Sequence, residues 1–142
     1  MLRSMVVGVA LCVAAVVPSA LHADAKYYRY SDNRQLYYTE NDRIYRYGDN
    51  RQLYYIDRDR VYRYGDNRQI YYMDNDYVCR YGDNRRLFHI ENGKIYRYSD
   101  NRQLYYIEGN KIYRYSDNRR ILYYEGHDFK LTVFMVLMLA DM

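Results

Sequence analysis

The chain has 142 residues and a formal net charge of +4, enough for one ordinary domain but little positive charge for a protein that grips nucleic-acid phosphates. Tyrosine dominates its aromatic content, with 23 Tyr against three Phe and no Trp. Tyrosine suits the half-buried pleated surface of a sheet, so the composition points to an all-β protein.

Residues 1–25 read as a secretory signal peptide. Arg3 precedes an apolar run over 5–17, then come Pro18 and a small-residue stretch ending Ala23-Asp24-Ala25. The run is shorter than the roughly 20 residues of a membrane-crossing helix. Cleavage is expected after Ala25, with Ala23 and Ala20 as alternatives, giving an exported protein that is secreted, periplasmic or held at the cell surface. Cys12 leaves with the leader, so the mature chain keeps one thiol, Cys79, and forms no internal disulfide. Loss of Arg3 and Asp24 together leaves the net charge at +4.

Residues 26–129 carry a repeat of 17 residues, with six units beginning at Tyr28, Tyr45, Tyr62, Cys79, Tyr96 and Tyr113. The common form is Y-R-Y-(S/G)-D-N-R-(Q/R)-(L/I)-Y-Y-I-(E/D)-x-x-x-(I/V). Each unit holds two β-like runs, such as Lys94 to Ser99 and Gln103 to Glu108, with Asp-Asn-Arg between them. Asn92-Gly93 then separates one unit from the next, and Asn-Gly between apolar runs is a strong hairpin signal. The expected fold is therefore all-β: antiparallel hairpin repeats of about twelve short strands in an extended or curled meander. Helix is disfavoured because no apolar period near 3.6 is sustained.

The period also constrains register. A two-residue turn at Asn92-Gly93 pairs Glu91 with Lys94, Ile90 with Ile95 and His89 with Tyr96. Successive units present the same faces only if the other loop is odd, so a three-residue Asp-Asn-Arg loop is expected. That register puts Tyr96, Tyr98, Leu104 and Tyr106 on a packed aromatic face. Ile95, Arg97, Ser99, Gln103, Tyr105 and Ile107 share the other, wetter face, with Arg97 opposite Tyr105 in cation–π reach and Cys79 opposite His89. It also asks Arg102 to adopt a left-handed backbone, for which Arg is a poor choice.

The last unit reads "RRILYYEG" where its neighbour has "RQLYYIEG", so its Tyr pair moves one place and exchanges faces. Residues 130–142 are apolar and unrelated to the repeat, and are expected to form a terminal cap or tail.

The spacing in "YRYSDNRQL" resembles the YD repeats of Rhs and teneurin-type proteins, extracellular tyrosine repeats that build long β-hairpin sheets and in some cases are linked with carbohydrate binding. The resemblance spans about residues 28–125 and implies sheet architecture and export. It departs from that pattern where Ser or Gly replaces the Asp after the second Tyr and Arg replaces the turn Gly. Six shorter units also fall below what an enclosing shell requires.

Catalytic chemistry finds little support: His22, His89 and His127 are scattered, and no nucleophile has a base at a telling spacing. No catalytic residue, metal ligand or cofactor is assigned. The recurring Asp and Asn suit turn chemistry, bonding their own backbone. The expected function is a non-enzymatic binding or adhesion surface for a cell-envelope glycan or surface protein, with no nucleic-acid partner and no transmembrane helix in the mature chain. Its candidate ligand residues are Tyr54, Tyr71 and Tyr105 beside Arg46, Arg63 and Arg97 on the Arg-bearing face. The alternative is a structural protein that self-associates through two open sheet edges.

Overall fold

The computed structural model describes residues 24–126. Residues 1–23, most of the expected signal peptide, and residues 127–142, with the expected cap or tail, lie outside the described residues. Twelve strands follow one another: β1 Lys26–Arg29, β2 Gln35–Glu40, β3 Arg43–Arg46, β4 Arg51–Asp57, β5 Arg60–Arg63, β6 Arg68–Asp74, β7 Tyr77–Arg80, β8 Arg86–Glu91, β9 Lys94–Arg97, β10 Arg102–Glu108, β11 Lys111–Arg114 and β12 Arg119–Glu125. Each pairs antiparallel with its sequence neighbours, and β1 pairs with β12. The all-β hairpin meander is as expected, but it is a closed barrel. The two open edges foreseen from the sequence do not exist, because closure pairs every strand on both sides.

Local chemistry makes the turns. Across the two-residue turn β8 and β9 take the expected register, His89 opposite Tyr96 and Glu91 opposite Lys94. Asn92 and Gly93 both adopt positive φ, 48° and 74°, the conformation this tight hairpin demands. The other loop departs from expectation. It has four residues, Tyr98 to Asn101, and Arg102 already pairs with Arg97. Asn101, not Arg102, takes the left-handed backbone at φ 55°, as do its counterparts Asn33, Asn50, Asn67, Asn84 and Asn118. Asn tolerates that region because its short side chain can bond locally.

An even loop would turn the second strand's faces over, and one bulge per unit turns them back. Tyr96 faces Gln103 and Ile95 faces Tyr105, leaving Leu104 without a partner. Leu36, Leu53, Ile70, Leu87 and Ile121 are skipped in the same way. The bulges also join units. The carbonyl of Leu87 accepts from the Tyr98 amide at 2.9 Å, and that of Ile121 from the Tyr30 amide at 3.0 Å across the closure.

Ile95, Tyr105 and Ile107 share one face and Tyr96 and Tyr106 the other, as expected, but the barrel packs the opposite face from the one expected. Ile44, Val61, Val78, Ile95 and Ile112 are at most 1 % exposed and form the barrel interior, with Tyr37, Tyr54, Tyr71, Phe88 and Tyr105 packed against them. The face expected to be wet is thus the core, where each buried Ile or Val is worth about 1.5–3 kcal/mol. Tyr96 and Tyr106 lie on the outer wall. Arg97 does not face Tyr105, whose neighbours are Ile95 and Arg114. Cys79 does not face His89 either. It lies between Tyr72 and Arg86, while His89 lies between Tyr77 and Tyr96.

The unusual last unit makes the closure. Its displaced Tyr pair points Tyr124 inward, where it meets Tyr27 with ring centroids 6.0 Å apart, at 5 % and 0 % exposure. This pair stands where Ile90 faces Ile95 elsewhere. Tyr123 stacks outside on Tyr28 at 4.9 Å. Ala25 takes the place of a turn residue: its carbonyl accepts from the Thr39 amide at 2.8 Å, as the Asp42 carbonyl does from Ile56. Thr39 replaces the usual Ile and receives the Ala25 amide on Oγ1 at 2.8 Å. At Gly126 a Cβ would sit 2.2 Å from the Asp24 carbonyl oxygen, so no side chain fits there. Six units therefore run from Ala25 to Gly126 without remainder.

Candidate functional site

The loop end of the barrel is set by an Arg–Asp fork found in five of the six units. In Arg97-Tyr98-Ser99-Asp100, Arg97 Nε donates to Asp100 Oδ1 at 3.0 Å and Nη2 to Oδ2 at 2.6 Å. Arg63–Asp66 and Arg114–Asp117 repeat it, as do Arg46–Asp49 and Arg80–Asp83, while Arg29–Asp32 makes a single contact at 3.3 Å. The same Asp oxygen accepts from the backbone amide two residues on, as Asp100 does from Arg102 at 3.2 Å. Hydrogen bonds from the Arg hold the carboxyls of Asp49, Asp83, Asp100 and Asp117 down to about 2. At neutral pH these carboxylates have no proton to give and are already bonded. Their role is to fix the loop.

Fixing the loop presents the tyrosine within it. Tyr30, Tyr47, Tyr64, Tyr81, Tyr98 and Tyr115 are 38–54 % exposed and form a ring around one end of the barrel. Below the ring the outer wall carries stacked pairs: Tyr38–Tyr45 at 4.9 Å, Tyr55–Tyr62 at 4.8 Å and Tyr106–Tyr113 at 4.6 Å between centroids. Loss of water around the stacked rings raises the Tyr38 and Tyr106 pKa values, with Tyr45 and Tyr113 adding to the effect, so both phenols remain proton donors. Tyr38 Oη donates to Asn50 Oδ1 at 3.2 Å, and Tyr72 Oη to Asn84 Oδ1 at 3.2 Å.

Together these residues shape grooves on the outer wall. One holds Gln35, Tyr38, Tyr47 and Asn50 around an open volume of about 390 Å³, and another holds Gln52, Tyr55, Tyr64 and Asn67 around about 380 Å³. The repeat brings Gln69, Tyr72, Tyr81 and Asn84, and also Gln103, Tyr106, Tyr115 and Asn118, into the same relation. Each groove offers an exposed aromatic face flanked by two carboxamides. That set can stack on an apolar ring face and hydrogen-bond to hydroxyls beside it.

The sequence-derived candidates sit elsewhere. Tyr54, Tyr71 and Tyr105 pack against the interior cluster. They face Arg63, Arg80 and Arg114 of the following unit, not Arg46, Arg63 and Arg97 of their own. A three-residue loop would leave Tyr98 in the strand on the packed face; the four-residue loop makes it the first loop residue and exposes it. A usable signal was present: Ser/Gly-Asp-Asn follows it at once, so the turn starts at that tyrosine.

Other chemistry has few footholds. Among the described residues no group of three His, Cys, Asp or Glu is placed to hold a metal, and Cys79 is a buried free thiol. No helix of the described residues is long and apolar enough to cross a membrane. The strands, at four to seven residues, are shorter than the roughly 9–11 of a membrane-crossing strand. Comparison with family models, curated proteins and solved structures finds no match.

Proposed function

We propose that this is an exported, non-enzymatic binding protein whose six outer-wall grooves take successive residues of a cell-envelope glycan. The observation that carries the reading is the ring of exposed tyrosines, one per unit. In a soluble barrel whose core is filled by Ile, Val and inward Tyr, stability does not require them. Equivalent tyrosines are two strands apart, about 9.6 Å, a spacing suited to a repeating polymer. Weak contacts then add through effective concentration. The resemblance of the units to extracellular YD repeats and the leader-like N-terminus support the same reading. Self-association through sheet edges loses its physical basis, since the closed barrel has no edge to offer.

The test is affinity electrophoresis of the barrel through gels containing neutral and acidic wall polysaccharides. Tyr47→Ala, Tyr64→Ala and Tyr81→Ala should each weaken retention slightly, and the triple variant should lose about 10²-fold or more with its circular dichroism unchanged. Wild-type migration that no polysaccharide alters would overturn the proposal.

A further inference from the structure

Two of the wall grooves differ from the rest in a way that selects charge. Units four and six carry Arg86 and Arg120 where the other four have Gln35, Gln52, Gln69 and Gln103. Each of these arginines follows another, Arg85 and Arg119. The loop of the next unit brings Tyr98-Ser99 to the first pair and Tyr30-Ser31 to the second. The first groove is lined by Arg85, Arg86, Tyr98 and Ser99 and continues over the rim to the inward-facing Tyr71 and Phe88, about 580 Å³ in all. The second, about 410 Å³, is lined by Tyr30, Ser31, Arg119 and Arg120. The same four residue types therefore meet twice, although the members of each set come from different units and, for the second, from opposite ends of the chain. Elsewhere the combination is incomplete: Gln replaces the second Arg, and Gly48, Gly65 and Gly82 replace Ser in three of the four remaining grooves.

Placement decides what the guanidinium groups are free to do. Arg120 donates from Nη1 to Tyr30 Oη at 2.7 Å and from Nε to Tyr113 Oη at 3.2 Å, which leaves three of its five N–H donors unused. Tyr30 Oη accepts that bond, so its own hydrogen is available to point outward. Arg86 lies over the Tyr77 ring at 4.0 Å and 5.9 Å from the Tyr98 ring. The acids nearby are largely spoken for: Asp32 and Asp117 pair with Arg29 and Arg114, and Asp83 and Asp100 with Arg80 and Arg97. Asp74 reaches Arg86 only at 3.7 Å, and neither Arg85 nor Arg119 forms a salt bridge among the described residues. The guanidinium of Arg86 or Arg120, a phenol and a serine hydroxyl thus meet at one groove, with Arg85 or Arg119 bordering it. That is the chemistry of an oxyanion site, where charge-assisted bonds are the strong ones.

We propose that these two grooves bind the anionic substituents, sulfate or carboxylate, of an acidic glycan, the remaining grooves taking its uncharged rings. This rests on the binding reading above and names its ligand class. The sites lie four strands apart around the wall, roughly 19 Å at the sheet spacing, so one polyanion can occupy both.

Retention on dextran sulfate and on carboxymethyl dextran, against unmodified dextran and a neutral wall-polysaccharide panel, tests it. The variant R86Q/R120Q restores the residue found in four units, so folding is not at stake. Each lost guanidinium should weaken retention on the acidic dextrans about tenfold or more, while neutral retention does not fall, because Gln is the residue of the other four grooves. Gln103→Arg, beside Arg102, Tyr115 and Ser116, completes a third groove and should strengthen it. Gln52→Arg adds the same charge beside Tyr64 and Gly65 and should do much less. Unchanged acidic retention in R86Q/R120Q overturns this proposal and leaves the broader one standing on the neutral panel. Equal gains from Gln103→Arg and Gln52→Arg also overturn it, reducing the effect to net charge. Tighter binding to single-stranded DNA or anionic lipid vesicles than to either acidic dextran assigns the site to another ligand class. Indifference to every polysaccharide, neutral or acidic, defeats both readings.

Discussion

Replacing Tyr27 by Ala strikes the one place where the barrel is held shut by residues far apart in sequence. Tyr27 is 0 % exposed and its ring lies 6.0 Å from that of Tyr124, centroid to centroid. Truncating a buried aromatic costs about 3–5 kcal/mol, the removed surface plus the cavity left behind. A domain of this size holds roughly 5–15 kcal/mol in all. The change should therefore consume about a fifth or more of the stability, and at about 4–8 °C per kcal/mol it should lower Tm by at least ~12 °C. Urea unfolding of wild type and variant, followed by circular dichroism, measures it directly. Tyr96→Ala is the control: Tyr96 is half-buried on the outer wall beside His89, with centroids 5.7 Å apart, and should cost clearly less. A Tyr27→Ala loss below about 1 kcal/mol, the value expected of a surface change, would refute closure by β1 and β12. A larger loss for Tyr96→Ala would refute the assignment of inner and outer faces.

The loop forks predict acid sensitivity. Asp49, Asp83, Asp100 and Asp117 are lowered to about 2 by their Arg partners, so their contribution is complete above the unfolded value of 3.8 and is lost as pH falls through 2. Thermal melts should be level from pH 7 to 5 and decline between pH 4 and 2, and a flat profile over that range would refute the role of the forks. Asn101→Gly should preserve stability, whereas Asn101→Ala should lose about 1–2 kcal/mol for the left-handed backbone, read from urea midpoints; equal effects would contradict the four-residue loop. Joining Gly126 directly to Ala25 and opening the chain between Asn92 and Gly93 should give a permutant with the wild-type circular dichroism spectrum, since the seam lies where every other unit has its two-residue turn; loss of the β-sheet signal would show the units to be inequivalent. Because Ala25 bonds to Thr39 within the fold, N-terminal sequencing of exported protein should find Ala25 retained, as after cleavage at Ala23; a chain beginning at Lys26 would contradict that.

Strand identity and the tight turns were legible in the sequence because they depend on neighbours. Asn92-Gly93 imposes its turn locally, and the pairing of Glu91 with Lys94 follows by counting. The 17-residue period likewise marks out six equivalent units. The longer loop was not legible by counting alone. A three-residue loop and a four-residue loop with a bulge satisfy the same period, and only the left-handed preference of Asn101 separates them. That difference of one residue at Leu104 moved Gln103 to the face of Tyr96, whereas closure of the barrel put the face of Ile95, Tyr105 and Ile107 inside. The longer loop also separated Cys79 from His89 and turned Tyr98 out to the rim.

Closure lay further beyond local rules. Nothing in a repeat states how many copies complete a circle, because that depends on the twist and tilt summed over all twelve strands. The signs were present as exceptions: Tyr27 in place of an Ile, the displaced Tyr123-Tyr124 pair, Thr39 and Gly126. Read along the chain they look like a frayed end. Folded, they are partners across one seam. Strands, tight turns and period are written locally in the chain, since backbone preference and side-chain alternation act over a few residues. The tertiary structure alone decided which face is inside, which tyrosines meet solvent and which arginines share a groove, since those follow from a bulge and a closure that join residues nearly a hundred positions apart.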